Sequence, residues 1–241
     1  MTNIVPRPSS PVVAVMQPYF FPYLGYYQLA RAASHFVFLD DVGFIKQGYI
    51  NRNSILLNGQ AHRFSLPVQG ISSFRHINEH HYTGDWVPFL ALLAQAYRKA
   101  PHYRTGMALV EAVARHPDEN VARKNARSVV QVFEHLGLPL RHSSASNTPV
   151  QGDELRGQAR VLSLCAQHQA GTYLNAPGGR ELYGHAAFAD QGIALRFLRT
   201  LPHGYPQLAP GWTPNLSMID LLMHCAPAQI VALLGCCELE A

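Results

Sequence analysis

The stretch "VVAVMQPYFFPYLGYYQLARAASHFVFLDD", residues 12–41, decides the fold. It begins with an apolar run from Val12 to Gln17, which is typical of a strand in the middle of a parallel sheet. Residues 23–34 carry apolar side chains near helical spacing, and residues 36–39 are apolar again. The stretch therefore predicts a strand, a short crossover helix and a second strand parallel to the first.

The rest of the chain continues this α/β pattern around a helical middle. An Asn-Gly pair at residues 58–59 predicts a hairpin between extended runs at 54–57 and 62–68. Residues 85–137 predict about three helices, the last of which ends at Gly137. Beyond them we expect a strand at 138–141, a helix at 154–169, a strand at 172–175, a helix at 180–191, a strand at 193–198 and one or two helices within 217–234.

The fold class follows from this order of elements. We expect an α/β fold with a mostly parallel open sheet, flanking helices and a helical insertion at about 85–137. Residues 1–11 are predicted to be a disordered lead-in, and residues 12–241 a single domain, because no stretch resembles a flexible linker. The N-terminal strand, turn, helix and strand are Rossmann-like and follow the order of nucleotidyltransferases, whose His-x-Gly-His signature is absent here.

The composition favours a cytoplasmic protein that acts on a small molecule. The net charge of +4 suits an anionic or activated substrate, but no basic run indicates a nucleic-acid partner. No apolar run reaches the length of about 20 residues that a membrane span needs, and no secretory signal is recognisable. The four cysteines lack CxxC spacing and are expected to be reduced. A homo-oligomer or a biosynthetic partner enzyme remains compatible with these features.

A candidate site follows from where the first two predicted strands end. Ligands of open parallel sheets bind beyond the carboxyl ends of the strands. Gln17, Tyr19, Tyr23 and Tyr26 lie at or just after that end of the first strand, and Gly25 lets a ligand approach the N-terminus of the helix. We therefore predict that these residues bind substrate. The alternative is that the aromatic rings only plug the end of the sheet.

Charged and amide side chains follow the second strand. Asp40 and Asp41 suit a general base, an amine or ribose anchor, or a Mg²⁺ ligand; the alternative is that they cap backbone amides. A cluster of donors that suits phosphate or carboxylate recognition, or else forms a solvated loop, comes next: Lys46, Asn51, Arg52 and Asn53.

Three later segments carry weaker signals. Asn175 precedes Pro-Gly-Gly at 177–179, which predicts either a ligand cradle or a simple turn. The "HINEHH" stretch at 76–81 has two histidines four residues apart, but it lacks both an apolar helix and the HExxH order, so no metal site is predicted. Ser217 and Asp220 have the spacing of a capping box.

Several segments together resemble the WbqC-like proteins: "MQPYFFPYLGYYQL", "DDVGFIKQGYINRNSILLNG", "TYLNAPGGRELY", "GIALRFL" and "TPNLSMIDLLM". Members of that family occur in gene clusters for O-antigen, other polysaccharides and further biosynthesis. The resemblance implies a role in attaching an amino acid, glycine in particular, to a sugar. It marks these motif positions: Gln17, Pro18, Tyr19, Pro22, Gly25, Tyr26, Asp40, Asp41, Phe44, Lys46, Asn51, Arg52 and Asn53.

These observations lead to two hypotheses. The first is a transferase or ligase that joins an amino acid or acyl group to an amine or hydroxyl acceptor, with ATP and Mg²⁺ as possible cofactors. In it Asp40, Asp41 and Lys46 are the catalytic residues, and Arg52 helps to hold an anionic donor. The second hypothesis is a non-catalytic ligand-binding or scaffold subunit of a biosynthetic complex.

Overall fold

A computed structural model describes residues 10–148 and 155–240 of the chain. Six strands form one sheet in the order β5-β2-β1-β6-β7-β8, and a separate two-stranded sheet contains β3 and β4. The strands are β1 (Val12–Met16), β2 (His35–Phe38), β3 (Arg52–Leu57), β4 (Gln60–Ser65), β5 (His142–Ser144), β6 (Thr172–Asn175), β7 (Ala194–Thr200) and β8 (Cys237–Glu240).

The large sheet is parallel except at one edge. β1 pairs in parallel with β2 on one side and with β6 on the other, and only β8 runs antiparallel to its neighbour, β7. The predicted α/β fold with a mostly parallel open sheet is therefore confirmed. The chain fills the β2 side first and the β6 side later, so the strand order reverses between β1 and β6. Ligands of such sheets bind at the carboxyl ends of the strands at this position.

Helices cover both faces of the sheet. Val13 and Val15 of β1 belong to one buried cluster, whereas Val12 and Ala14 belong to another, because successive side chains of a strand point to opposite faces. The helices are α1 (Leu24–Ala32), α2 (Val87–Tyr97), α3 (Tyr103–Ala114), α4 (Val121–His135), α5 (Gly157–Gln167), α6 (His185–Ala189), α7 (Met218–His224) and α8 (Pro227–Leu234).

The predicted hairpin and the helical middle pack together. Asn58 and Gly59 have φ angles of 51° and 77°, the left-handed values that a tight hairpin turn requires, so the hairpin prediction is confirmed. Leu56 of β3 donates its N–H to the hydroxyl of Tyr97 in α2 at 3.0 Å. α4 is followed by Gly137 with a φ of 66°, which confirms the predicted end of the third helix of this region.

Three predictions of elements need correction. The strand expected at 138–141 is wrong, because the Leu138 N–H still bonds to the last turn of α4 and the strand begins only at His142. The helix expected at 180–191 is limited to α6, since Gly184 lies in extended backbone just before it. β8 was not predicted, because its four residues, two of them acidic, are too short a run to stand out as a strand. Most of the predicted lead-in, residues 1–9, lies outside the described residues.

Candidate functional site

The aromatic turn, residues 17–23, divides its rings between the core and an open space. Phe20 and Phe21 are buried, with 1% and 0% of their surface exposed, and Phe20 packs among other aromatic rings. Tyr19 and Tyr23 are only half-buried and line a cavity in front of the turn. Two of the four rings therefore serve packing, and the two tyrosines are accessible to a ligand.

The backbone of the turn is strained at Phe21. Its φ of 41° lies in the left-handed region, which residues other than glycine rarely adopt. The Phe21 N–H donates to Ser128 Oγ at 2.9 Å. Its carbonyl oxygen accepts from Asn53 Nδ2 at 2.8 Å and from Ser217 Oγ at 2.6 Å. Such a conformation costs on the order of 1–3 kcal/mol, so hydrogen bonds from three distant segments hold it in place.

A buried polar face of α4 supports the same turn. Asn125 Nδ2 donates to the carbonyl oxygens of Pro18 at 3.0 Å and Ile50 at 2.8 Å. The hydroxyl of Tyr82 donates to Asn125 Oδ1 at 2.7 Å, so both ends of the amide are engaged. Because Ser128 on the next turn of α4 bonds to Phe21, the helical middle is tied directly to the aromatic turn.

The first cavity has a volume of about 360 Å³ and contains no charged side chain in its lining. Three tyrosine rings and a proline form its walls, and two amides offer both donors and acceptors. The lining residues are Tyr19, Pro22, Tyr23, Tyr49, Asn53 and Asn215.

The hydroxyls of Tyr19 and Tyr23 are hydrogen-bond donors at neutral pH. Burial, with smaller contributions from the neighbouring Tyr23 and Tyr49, raises the pKa of Tyr19 to about 12. Burial likewise raises the pKa of Tyr23, with a smaller contribution from Tyr49. The Tyr19 hydroxyl donates to Gln17 Oε1 at 3.3 Å, which places the Gln17 side chain at the edge of the same cavity.

A second cavity of about 280 Å³ adjoins the first and shares Tyr23 and Asn215 with it. It lies between the N-terminus of α1 and the end of β7. A Cβ atom at Gly25 would lie 2.6 Å from Tyr23 Cε2 and 2.8 Å from Thr200 Oγ1, so any larger residue there would displace the side chains of Tyr23 and Thr200. The other lining residues are Leu24, Leu201, Pro202, His203, Tyr205, Trp212, Pro214, Leu216 and Leu221.

The outer wall of the second cavity is residues 201–216, which we call the strap. The Tyr205 hydroxyl and Gln207 Nε2 donate to Asp220 Oδ2 at 2.7 and 2.9 Å. The Leu208 N–H donates to His224 Nε2 at 3.1 Å. Two side chains of α7 therefore anchor the middle of the strap.

Asp220 corrects the predicted capping box. Ser217 does cap α7, since its Oγ accepts from the Ile219 N–H at 3.2 Å. Asp220 is instead fully buried and also accepts from the Tyr97 hydroxyl at 2.7 Å, so its carboxylate joins α2 and the strap to α7. The chain spacing was right for capping, but three donors from other segments determine where the carboxylate points.

Asp40 lies at the carboxyl end of β2, outside both cavity linings. Its Oδ1 accepts from the Ser146 N–H at 2.9 Å and its Oδ2 from the Ser146 hydroxyl at 2.7 Å. Burial raises the pKa of Asp40, while the two bonds from Ser146 act in the opposite direction. This side chain joins the ends of β2 and β5, in keeping with the capping alternative.

Asp41 is part of a largely buried ion pair. Its Oδ2 lies 2.6 Å from Nη2 of Arg160 in α5, and the Arg160 side chain is only 4% exposed. The same Nη2 donates to the Ala145 carbonyl oxygen at 2.7 Å. The Arg160 guanidinium pairs with Asp41 Oδ2, and Ser146 engages both Asp40 oxygens, so Asp41 Oδ1 is the one oxygen of the two carboxylates without a hydrogen bond. A single oxygen falls short of the set of oxygen ligands that a Mg²⁺ site needs.

The donors predicted after β2 separate in the structure. Lys46 is exposed in a turn and has no hydrogen-bond or ion-pair partner among the described residues. Arg52 Nε donates to the Gly48 carbonyl oxygen at 3.1 Å, and Asn51 Nδ2 to that of Leu66 at 2.7 Å. None of these three side chains lines either cavity.

The other predicted binding residues take supporting positions. Asn53 is the one amide of the predicted cluster that lines the first cavity. The Tyr26 hydroxyl is buried and donates to the Gln17 carbonyl oxygen at 2.9 Å, which fixes the start of the turn. Asn175 at the end of β6 accepts from the Ala176 N–H at 2.8 Å and packs against Gly179.

The "HINEHH" histidines have structural roles. His80 is buried; its Nδ1 bonds to the His76 carbonyl oxygen at 2.7 Å and its Nε2 accepts from the Ser72 N–H at 3.1 Å. Both ring nitrogens are therefore used. Residues 10–148 and 155–240 contain no group of three or more histidine, cysteine or acidic side chains placed to hold a metal ion.

Sequence reasoning missed most of the residues that line the second cavity. Residues 202–214 were recognised only as a proline-rich loop, and Tyr49 was not singled out. Asn215 offered one usable signal, since asparagine tolerates the left-handed conformation that it adopts here, with a φ of 57°. The remaining contacts join segments far apart in the chain, which no local pattern reveals.

Comparison with known proteins gives a family match over most of the chain. The model of the WbqC-like protein family matches residues 17–232. The chain belongs to the WbqC-like protein family. It is also 25% identical over 217 residues to the uncharacterized protein Rv1507c of Mycobacterium tuberculosis (strain ATCC 25618 / H37Rv), which covers 88% of this chain and 93% of the relative. No solved structure matches this WbqC-like chain. Its described helices are too short or too polar to cross a membrane.

Proposed function

We propose that the two cavities form the substrate site of a biosynthetic transferase or ligase, which attaches an acyl or aminoacyl group to a hydroxyl or amine acceptor. The observation that supports this best is the lining of the first cavity. Its tyrosine and amide side chains offer hydrogen bonds and aromatic faces without any charge. Such a surface suits an acceptor that is neutral and rich in hydroxyl groups, whether a small molecule or a sugar.

The position of the site supports a chemical role. The aromatic turn follows the carboxyl end of β1, and the second cavity contains Thr200 at the carboxyl end of β7. Strained backbone such as that at Phe21 clusters at functional sites in proteins. Two adjoining cavities also provide room for an acceptor and for the acyl end of an activated donor.

Neither cavity favours a nucleoside triphosphate. No lysine or arginine is among the lining residues of the described cavities, so the β- and γ-phosphates of ATP would lack cationic partners. We therefore propose that the donor arrives already activated, for example as a thioester.

One observation favours the non-catalytic alternative, a ligand-binding subunit. Asp40, Asp41 and Lys46 were predicted to be catalytic, and all three lie outside the cavity linings. In this alternative the pocket binds the same neutral ligand but transfers nothing.

A thermal-denaturation screen followed by a transfer assay tests the proposal. Neutral hexoses, N-acetylhexosamines and polyols are added to the protein, and circular dichroism records the melting temperature. A ligand present at 100 times its Kd stabilises by about 2.7 kcal/mol, or roughly 5–10 °C for a chain of this size. Any compound that binds is then mixed with acyl and glycyl thioesters of N-acetylcysteamine, and mass spectrometry searches for the acylated compound.

Tyr49→Ala is the matched test of the binding site. Tyr49 is 54% exposed, so its removal should leave the melting temperature of the free protein nearly unchanged while abolishing the ligand-induced shift. Phe74→Ala is the control, because Phe74 is 97% exposed and lines neither cavity. An equal ligand shift in wild type and Tyr49→Ala would show that the ligand binds elsewhere. Binding without any acylated product would favour the non-catalytic subunit.

A further inference from the structure

We infer that His203 is the proton acceptor of the transfer reaction, an inference that rests on the proposed function. Acyl transfer to a hydroxyl requires a group that takes the acceptor's proton as its oxygen attacks. Such a base must reach the site and must be unprotonated near neutral pH. Histidine is the residue that takes this role most often, and His203 is the one histidine among the lining residues of the two described cavities.

The other lining side chains cannot accept this proton. The cavities contain no aspartate, glutamate, lysine, arginine or cysteine among their described lining residues. The remaining titratable groups are tyrosines, and burial raises the pKa of Tyr19, Tyr23 and Tyr205. These phenols stay protonated at neutral pH and can only donate hydrogen bonds.

The buried carboxylates near the cavities are already engaged. Asp220 lies under the strap and accepts from Tyr97, Tyr205 and Gln207. Its side chain is fully buried, so no substrate reaches it. His224 is equally unsuited, because its ring nitrogens bond to the Asp220 carbonyl oxygen and the Leu208 N–H.

His203, in contrast, is unengaged and well placed. It lies on the strap three residues after the last residue of β7, and its side chain is exposed. It has no hydrogen-bond or ion-pair partner among the described residues, so both ring nitrogens are available. The Trp212 indole packs across the neighbouring Gly204, where a Cβ would lie 3.5 Å from Trp212 Cγ. The strap therefore keeps the residue beside the cavity.

The reaction balances without a further reactant. The unprotonated imidazole of His203 takes the proton of the acceptor hydroxyl while the oxygen attacks the carbonyl carbon of a thioester. A C–O bond forms and the C–S bond breaks. The imidazolium then returns the proton to the departing sulfur, which leaves as a thiol. An amine acceptor follows the same course with a C–N bond.

The test uses the full-length protein, the acceptor found by thermal denaturation and an acyl thioester of N-acetylcysteamine. His203→Ala and His203→Gln should both lower the transfer rate by about 100-fold or more. Both should retain the ligand-induced rise in melting temperature. The rate of the wild type should show an inflection with pH, because a general base acts only in its unprotonated form, and the variants should lose this inflection. Added imidazole should restore part of the rate of His203→Ala, because the side chain it replaces is exposed.

Control and contrary outcomes separate the two proposals. His62→Ala removes an exposed histidine of β4 that lines neither cavity, and its rate should equal that of the wild type. Full activity in His203→Ala overturns the assignment of His203 and leaves the transferase standing. A slow His203→Ala that imidazole does not rescue and that keeps the wild-type pH inflection also overturns it. A wild type that binds the acceptor but transfers nothing overturns both proposals.

Discussion

Two regions on the carboxyl edge of one sheet use similar polar residues in different ways. At the end of β2, Asp40 and Asp41 bond to Ser146 and to the Arg160 guanidinium. Beyond β1 and β7, tyrosine hydroxyls, amides and an imidazole face two open cavities. The two aspartates are therefore engaged in bonds that hold the fold together, whereas the uncharged side chains of the cavities remain available to a ligand. Residue type alone does not distinguish the two; the number of partners that the fold supplies does.

The largest effect on stability should come from breaking the ion pair between Asp41 and Arg160 at the end of β2. Arg160→Met leaves the Asp41 carboxylate without its partner, and loss of one member of a buried ion pair is strongly destabilising. Because Asp41 is 19% exposed, we expect the lower end of the usual range, a decrease of about 3 kcal/mol in the free energy of unfolding. Urea denaturation measures it. The double variant Asp41→Leu/Arg160→Met should recover much of the loss, and a decrease below about 0.5 kcal/mol in the single variant would show that the pair is not structural.

The next largest effect on stability should come from breaking a hydrogen bond that holds the aromatic turn beside the first cavity. Ser128→Ala removes the acceptor of the buried Phe21 N–H, which should cost about 1–3 kcal/mol. Since this bond also holds the strained turn, the ligand-induced shift of the melting temperature should decrease. Ser65→Ala is the control, because Ser65 is exposed on β4 and its loss should change stability by less than about 0.5 kcal/mol. Unaltered ligand binding in Ser128→Ala would show that the cavity binds its ligand independently of this hydrogen bond in the turn.

The smallest effect should come from Asp40→Asn. The amide keeps an acceptor for the Ser146 N–H and removes a buried charge. The free energy of unfolding at pH 7 should therefore change by less than about 1 kcal/mol. The raised pKa of Asp40 gives the pH dependence a definite sign. Between the ordinary value of 3.8 and the raised value, the folded state binds more protons, so this residue makes the wild type less stable as pH rises.

Urea titrations from pH 4 to pH 7 check this sign. The stability of Asp40→Asn relative to the wild type should be greatest at pH 7 and should decrease as the pH falls towards 4. The opposite trend would mean that the Ser146 hydrogen bonds outweigh burial at Asp40. A large loss of stability in Asp40→Asn at pH 7 would show that the Asp40 carboxylate contributes as much to the fold as the ion pair of Asp41.

Much of the sheet was predictable, because local patterns encode it. β6 lies at the predicted residues 172–175, and the apolar run after Pro11 gave β1 to within one residue. β8 escaped notice because its acidic residues pair with Arg199 of β7 rather than forming an apolar face. The turn at 17–23 was recognised from its prolines and rings. Its supports were not, since Ser128 and Ser217 lie more than 100 residues away in the chain.

The candidate site was predictable only at the positions that share the aromatic turn. Asn53 lines the first cavity, but Lys46 and Arg52 from the same sequence cluster do not. Lys46 lies in a turn before β3, and Arg52 precedes Asn53 within β3, where successive side chains point to opposite faces. His203 had no sequence signal, since one histidine among 13 in a proline-rich loop is unremarkable without the cavity around it.

The placement of the two tryptophans gives the protein its own optical reporter. Trp86 is 8% exposed and lies under the Lys124 ammonium, which is 4.7 Å from its ring centre, whereas Trp212 is 42% exposed and lines the second cavity. Emission from Trp86 should resist acrylamide quenching, and emission from Trp212 should not. In a Trp86→Phe variant the remaining tryptophan emission would come from Trp212 on the strap alone, so a fluorescence titration could follow the binding of a donor without any label.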